Sequence, residues 1–189
     1  MIILQESLNN LVEIFNISTK EQIPFIFPTD TIYGIGASIY NKNANLEIYK
    51  IKNRPYNKPF PILAGSIDHL AEIADISSLS SKNFQFFKEN YNNFSTFIFY
   101  AKENLDGMYK HNNKVAIRIP NKKILSEALV KSNIFLTATS VNESGKPFLN
   151  SLNSIIDEFS SIELFVCGKI NNNSSSIYDI TENDIVKIR

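Results

Sequence analysis

Apolar residues recur at two different spacings along this chain, and the two spacings predict a mixture of helices and strands. Amphipathic stretches with a helical period predict helices near 4–15, 43–52, 66–73, 78–89, 121–131 and 151–159. Short apolar runs bounded by polar residues predict strands at 23–27, 60–64, 96–101, 115–119, 134–137 and 163–166, with two short strands near the end. The alternation of the two element types indicates an α/β sheet covered by helices.

The length of 189 residues favours a single domain spanning 1–189, because a chain of this size can bury a sizeable core. No internal repeat interrupts the pattern, and the polar stretch 171–176 is too short to separate two domains. Ligands of such sheets usually bind beyond the strand ends, where the loops gather. The loops are therefore where we expect the chemistry of this protein.

Composition and charge exclude several classes of protein. Hydrophobic residues make up 43% of the chain and charged residues 20%, which is typical of a globular protein. A formal net charge of zero argues against a nucleic-acid binder that is cationic over its whole surface. A local basic patch is compatible with a net charge of zero. The single cysteine, Cys167, excludes an internal disulfide, and with two histidines it gives no zinc-ligand spacing, so no metal site is expected.

The N-terminal residues lack a basic leader, and no apolar run reaches the roughly 20 residues of a membrane span. We therefore expect a soluble, cytoplasmic protein that does not interact with membranes.

A basic cluster surrounds Pro55, and its members are Lys50, Lys52, Arg54 and Lys58. In a continuous helix Lys52 and Arg54 would point about 160° apart. Pro55 disfavours helix at the preceding residue, so a chain that unwinds near Asn53 would let both reach one ligand. Arginine offers a planar fork to phosphate or carboxylate, and lysine offers a compact charge. The alternative interpretation is a solvated basic helix end, favoured by the helix dipole.

A run of small hydroxyl and amide residues follows the strand predicted at 134–137 and extends to Gly145. Its side chains can donate to phosphate oxygens or hold a ribose, and Gly145 allows a backbone turn that other residues adopt poorly. The alternative is a turn closed by local side-chain-to-backbone bonds, which Ser and Asn favour. Together with the basic cluster, this run indicates the second half of a site for a phosphate-bearing ligand.

Standard catalytic motifs are absent from the sequence. Residues 144–146 lack the upstream glycine and the following Ser or Thr of a P-loop, and residues 34–36 are only a fragment of a dinucleotide fingerprint. No Ser-His-Asp signature is present.

Five segments, in order, resemble the YrdC/Sua5 family of threonylcarbamoyl-AMP synthases. They are PTDTIYGIGA (28–37), IKNRPYNKPF (51–60), VAIRIP (115–120), ATSVNESGKP (138–147) and SSSIYDI (174–180). They are similar to the family's PTDTVYGLGA, K-x-R-P-x-x-K-P, V-A-V-R-x-P, S-A-N-x-S-G and P-S-T-hydrophobic-x-D segments. The resemblance covers nearly the whole chain and corresponds to the short, YrdC-like form.

The resemblance implies a twisted mixed sheet covered by helices, with an open concave cleft. It implies an enzyme, a nucleotidyltransferase that joins L-threonine, bicarbonate and ATP into threonylcarbamoyl-adenylate and releases pyrophosphate. Mg²⁺ would accompany ATP as substrate. The product would pass to the transferase complex that modifies tRNA, and weak tRNA binding is compatible with this role.

The resemblance also assigns site residues. The catalytic tetrad around ATP would be Lys52, Arg54, Ser140 and Asn142, and Lys58 would join the nucleotide side. The threonine side would comprise Thr31, Arg118, Ala138 and Ser175. The carbamate formed from threonine would attack the α-phosphate directly, so the site needs orientation and charge stabilisation and no side-chain nucleophile.

The chain departs from the family pattern at several positions, two of which bear on the shape of the pocket. Residues 91–96, Tyr-Asn-Asn-Phe-Ser-Thr, stand where the family usually has W-P-G-P-x-T, and Leu63 stands where some members carry His near the threonine. Two other functions are compatible with parts of the pattern: a noncatalytic RNA-binding or ribosome-assembly module, and a carbamoyl-transfer module like that of hydrogenase-maturation proteins.

Overall fold

The computed structural model describes residues 2–189 and contains six α-helices and eleven strands within them. The helices are α1 Leu8–Glu21, α2 Lys42–Ile51, α3 Ile67–Leu70, α4 Ser81–Asn90, α5 Lys123–Ser132 and α6 Leu152–Glu158. The strands are β1 Ile2–Gln5, β2 Phe25–Pro28, β3 Tyr33–Gly36, β4 Ile62–Leu63, β5 Ser95–Tyr100, β6 Lys114–Arg118, β7 Leu136–Thr137, β8 Thr139–Ser140, β9 Leu164–Cys167, β10 Ser176–Asp179 and β11 Val186–Lys187. The predicted mixed α/β fold is confirmed.

The strands form two mixed sheets, a division that the hydrophobic pattern did not reveal. The first has the order β1-β9-β2-β3-β8 and the second the order β11-β10-β5-β6-β4-β7. The chain passes from the edge of one sheet to the edge of the other through a single residue, Ala138, which separates β7 from β8. The backbone N–H of Thr137 also donates to the carbonyl of Ala37, 2.9 Å away, which ties the two sheets together at this point.

The N-terminal segment corrects the prediction of a helix over 4–15. Residues 2–5 form β1, which pairs in parallel with β9, and the helix begins only after Ser7. The Ser7 hydroxyl accepts from the backbone N–H of Asn10 at 3.1 Å, so it satisfies one of the free donors of the first helical turn. Leu4 of β1 stands four residues before Leu8 of α1, so the strand extends the helical spacing of apolar residues, and this hid the boundary between them.

The two faces of the second sheet differ because side chains alternate along its strands. In β6, Val115 and Ile117 are buried in the apolar core, and in β5 the core residues are Phe97 and Phe99. The intervening residues, including Arg118, therefore lie on the opposite face. Inside the residues from Ile2 to Arg189, no helix combines the length and apolar character that a membrane crossing requires.

Phe94 adopts a left-handed backbone conformation, with φ of 50°, in the segment that departs from the family pattern. Such a conformation costs a non-glycine residue roughly 1–2 kcal/mol. The Phe94 side chain is 39% exposed, so its removal loses little packing. We expect Phe94→Gly to raise the free energy of unfolding by about 1 kcal/mol in denaturant titrations. Phe94→Ala is the control, because it removes the ring and keeps the strain; equal stabilisation by both would contradict the interpretation.

Candidate functional site

A cleft of about 430 Å³ lies where the two sheets meet. The first sheet contributes residues of β3 and β8, and the second contributes residues of β4, β5, β6 and β10. Its lining includes seven of the predicted site residues: Thr31, Arg54, Arg118, Ala138, Ser140, Asn142 and Ser175. Segments far apart in the sequence are thus brought to one cavity.

The cleft is suited to anions. Four cationic residues line it, namely Arg54, Arg118, Lys146 and Arg189. Of the residues that the structure describes, no Asp or Glu lines it. Hydroxyl and amide groups from Thr29, Thr31, Ser140 and Asn142 supply further polar contacts. This composition fits a ligand with phosphate and carboxylate groups.

The chain unwinds at the end of α2, as the sequence predicted. The helix ends at Ile51, Lys52 forms its C-cap, and Asn53 has a left-handed backbone with φ of 49°. After this unwinding, the side chains of Lys52 and Arg54 do not reach the same position. Arg54 lines the cleft, whereas Lys52 is only 1% exposed and lies outside the lining.

Lys52 lies beneath the polar loop that follows β8. Its Nζ donates to the carbonyl of Ser140 at 2.5 Å, to the carbonyl of Asn142 at 2.6 Å and to Asn142 Oδ1 at 3.0 Å. Burial lowers the pKa of Lys52 to about 7, and repulsion from the Arg54 guanidinium adds to the effect. The three oxygens match the three hydrogens of the ammonium form.

Arg54 is anchored by the chain that follows it. Its Nε donates to the carbonyl of Lys58 at 2.9 Å, and Nη2 donates to the carbonyl of Pro59 at 3.3 Å. The guanidinium also lies over the Phe60 ring, 5.1 Å from its centroid. Burial lowers the pKa of Arg54 from its ordinary value. Nη1 has no part in these contacts, so the anchored group can still donate to a ligand in the cleft.

Lys58 contributes to this arrangement through its backbone only. Its carbonyl accepts from Arg54 Nε and, at 3.2 Å, from the Tyr49 hydroxyl. The Lys58 side chain is exposed and lies outside the cleft lining. The structure therefore does not bring this predicted site residue together with the others.

Arg118 stands at the end of β6 in a buried ion pair. Its Nη2 is 2.6 Å from Asp30 Oδ2, and the two side chains are 6% and 2% exposed. Asp30 Oδ2 also accepts from the backbone N–H of Asn121 at 2.9 Å. Arg118 lines the cleft and Asp30 does not, so the carboxylate holds the guanidinium on the side that faces away from the cleft.

Hydroxyl groups surround the cleft near Arg118. Thr29 Oγ1 and Thr31 Oγ1 are 2.8 Å apart, and Thr96 Oγ1 and Ser175 Oγ are 3.0 Å apart. The register of β5 and β6 places Thr96 beside Arg118, because Phe97 pairs with Ile117 and Thr96 therefore lies on the same face as Arg118. The parallel pairing of β10 with β5 brings Ser175 next to Thr96.

Sequence reasoning missed Asp30, Thr96 and Arg189 as members of this site. Arg189 lines the cleft, where Nε donates to the Ser175 carbonyl at 3.0 Å and Nη2 donates to the Ser175 hydroxyl at 3.2 Å. Burial lowers the pKa of Arg189, with repulsion from Arg118 adding to it. Asp30 and Thr96 carried a signal in the sequence. Asp30 lies in a family-like segment, and Thr96 is the residue of 91–96 that still matches the family's W-P-G-P-x-T. Arg189 carried no signal beyond its charge.

The donor set of the cleft does not fit a metal ion held by the protein. Between Ile2 and Arg189, no three His, Cys, Asp or Glu residues lie close enough to share an ion. The lining offers hydroxyl and amide oxygens but, over the same residues, no carboxylate, the group on which Mg²⁺ sites usually depend.

Comparisons with known proteins identify the family of this chain. The Sua5/YciO/YrdC family, described as telomere recombination, has a model that matches residues 19–189. The chain belongs to this family. A Methanocaldococcus jannaschii protein provisionally named threonylcarbamoyl-AMP synthase is 30% identical over 85% of this chain and 76% of its own. A threonylcarbamoyl-AMP synthase of Mannheimia succiniciproducens is 25% identical over 85% of this chain and 90% of its own.

The crystal structure of P. abyssi Sua5 complexed with L-threonine superimposes with a TM-score of 0.87 at 25% identity. The match covers 100% of this chain and 57% of that one. This chain therefore spans little more than half the length of that family member.

Proposed function

We propose that the protein is a threonylcarbamoyl-AMP synthase, which joins L-threonine, bicarbonate and ATP into threonylcarbamoyl-adenylate and releases pyrophosphate. The observation that carries the proposal is the cleft with four cationic lining residues, formed by the segments that resemble this family. Membership of the family and the names of its relatives support the same substrates.

In this proposal, Arg118 and the hydroxyls beside it bind L-threonine. A carboxylate is the natural partner of an arginine fork, and Asp30 keeps that fork in place from behind. Thr31, Ala138 and Ser175 complete the threonine side of the cleft. Leu63 also lines the cleft and provides an apolar surface that can accept the threonine methyl group.

Arg54 and Ser140 bind the phosphates of ATP, with Arg189 as a further cation on the cleft wall. The amine of threonine captures bicarbonate as a carbamate and releases water. A carbamate oxygen then attacks the α-phosphate, and pyrophosphate leaves with the P–O bonding electrons. The arginine side chains hold the reacting groups together and stabilise the negative charge on phosphate.

Mg²⁺ enters this scheme as part of the ATP substrate, because the cleft residues do not form a metal site of their own. The adenylate is a reactive acyl-phosphate anhydride that needs an acceptor. We propose that it is handed to the complex that transfers the threonylcarbamoyl group to tRNA.

The proposal predicts that pyrophosphate release requires both L-threonine and bicarbonate. Omission of either should reduce the rate to background, since the attacking carbamate cannot form. L-Serine is the matched control substrate, and loss of the one methyl contact should lower the rate by about 10- to 200-fold. ATP turnover that does not depend on threonine would contradict the proposal. Failure of all turnover, with RNA bound at physiological salt, would favour a noncatalytic RNA-binding module.

A further inference from the structure

The side chain of Lys52 is buried among neutral oxygens of Ser140, the last residue of β8, and of Asn142 in the loop that follows it. We define the segment 140–146, which consists of Ser140 and the loop after it, as the cleft loop. All three hydrogens of the ammonium group have an acceptor there, and the longest of the three N–O distances is 3.0 Å. A buried charge requires such partners, because an unpartnered ammonium would carry the full penalty of losing its water. No hydrogen of Lys52 is left over for a ligand.

The cleft loop is tied to Lys52 by backbone as well as by side chain. The N–H of Ser144 donates to the Lys52 carbonyl at 2.9 Å. The remaining bonds of the loop lie mostly at its ends or within it: Ser140 pairs with Gly34 in the first sheet, the N–H of Leu149 donates to the Val141 carbonyl at 2.9 Å, and Lys146 pairs with Glu143. Gly145 has φ of 88°, residues 143–146 are half-buried or exposed, and Val141 is the one apolar side chain that the loop buries.

Asn142 completes the same network. Its Oδ1 accepts from Lys52 and, at 2.5 Å, from the Ser140 hydroxyl, while its Nδ2 donates to the Lys146 carbonyl at 2.5 Å. The amide oxygen is therefore saturated by protein groups. The cleft loop nevertheless presents Ser140 and Lys146 to the cavity.

From these contacts we infer that Lys52, acting through Asn142 and the loop carbonyls, is a positioning residue that shapes the cleft loop and does not itself contact the substrate. Its effect on catalysis rests on the proposed function, whereas its effect on the loop does not. Direct contact with phosphate would require Nζ to leave its three acceptors, and the carbonyls of Ser140 and Asn142 would then lose their buried donor.

The test compares Lys52→Met with Lys50→Met, which alters an exposed lysine two residues earlier. Hydrogen–deuterium exchange is measured without substrates, and ATP kinetics are measured separately. We expect amides of the cleft loop to exchange at least about tenfold faster in Lys52→Met, with the core strands β5 and β6 unchanged. The KM for ATP should rise about tenfold while kcat at saturating ATP falls less than about threefold. Lys50→Met should match the native protein in both measurements.

A second variant keeps the inference testable if Lys52→Met does not fold. Asn142→Leu removes the side-chain acceptor of Lys52 together with the bonds of Asn142 to the Ser140 hydroxyl and the Lys146 carbonyl, and it leaves both loop carbonyls bonded to Lys52, so it should also speed exchange in the same loop. Unchanged exchange in the loop of a folded variant, with a lower kcat and an unchanged KM, would overturn the inference and assign Lys52 to direct contact with the substrate. Faster loop exchange in a protein that lacks threonine-dependent turnover would support the positioning role and refute the proposed function alone.

Discussion

Replacing Asp30 by alanine is expected to lower the free energy of unfolding by about 3–5 kcal/mol, the usual loss when one partner of a buried ion pair is removed. Arg118 would keep its charge in a site where its side chain is only 6% exposed. The backbone N–H of Asn121 would also lose the acceptor that it has on Asp30 Oδ2. Denaturant titration of the purified variant measures the difference directly.

Two further variants show whether the uncompensated charge of Arg118 causes the loss of stability in Asp30→Ala. Asp30→Ala combined with Arg118→Met removes both charges and should recover much of the lost stability, because no uncompensated charge remains. Glu127→Ala breaks the exposed pair between Lys123 and Glu127 and should change stability by less than about 0.5 kcal/mol. A loss below about 1 kcal/mol for Asp30→Ala would show that Arg118 finds water or another partner in the cleft.

The parts of the fold that the sequence predicts well are those with unmistakable local patterns. The run around Phe97 and the run around Ile117 are short, largely apolar and rich in aromatic or β-branched residues, which favours buried strands, and both are strands in the structure. β3 was not predicted because its two glycines resemble a turn. Gly36 is required by packing, since a Cβ there would overlap with the carbonyl of Thr137. That neighbour is 101 positions away, so local patterns give no sign of it.

Asparagine has a structural role in this chain that composition alone did not reveal. Five of its asparagines adopt the left-handed backbone conformation: Asn53, Asn112, Asn113, Asn133 and Asn172. The chain has only six glycines, and asparagine is the residue that best replaces glycine in this conformation. At Asn53 this conformation helps to separate Lys52 from Arg54, and it therefore shapes the site as well as the fold.

The site was predictable as a set of segments but not as a set of roles. The sequence indicates that the basic cluster and the polar loop belong together, and Lys52 does contact Ser140 and Asn142 across 88 and 90 positions. The basic residues of the cluster nevertheless differ in where the fold places their side chains. Lys52 turns towards the protein, Lys58 turns towards solvent, and Arg54 alone among the four basic residues lines the cleft. These differences depend on tertiary packing, which spacing along the sequence does not encode.

Arg54 should therefore be the most sensitive member of the basic cluster in catalysis. Arg54→Ala is expected to lower adenylate formation by about 100-fold, equal to about 2.7 kcal/mol, since hydrogen bonds to a charged group contribute roughly 1.5–3 kcal/mol each. Arg54→Lys keeps the charge but should still lose at least about tenfold. The native side chain donates Nε and Nη2 to the carbonyls of Lys58 and Pro59 and still has Nη1 for phosphate. A lysine side chain has a single nitrogen and cannot contact these carbonyls and the phosphate at the same time.

Lys50→Arg is the matched control for Arg54→Lys, because it makes the reverse exchange on an exposed residue of the same cluster. It should leave the threonine-dependent release of pyrophosphate unchanged. Denaturant titration of each variant separates loss of catalysis from loss of folding, which matters here because Arg54 also packs on Phe60. If Arg54→Lys and Lys50→Arg behave alike, the cluster acts only as a diffuse positive field, and such an effect should weaken as salt screens it. A loss in Arg54→Lys that persists at high salt, with Lys50→Arg silent, would instead identify the geometry of the guanidinium as the cause.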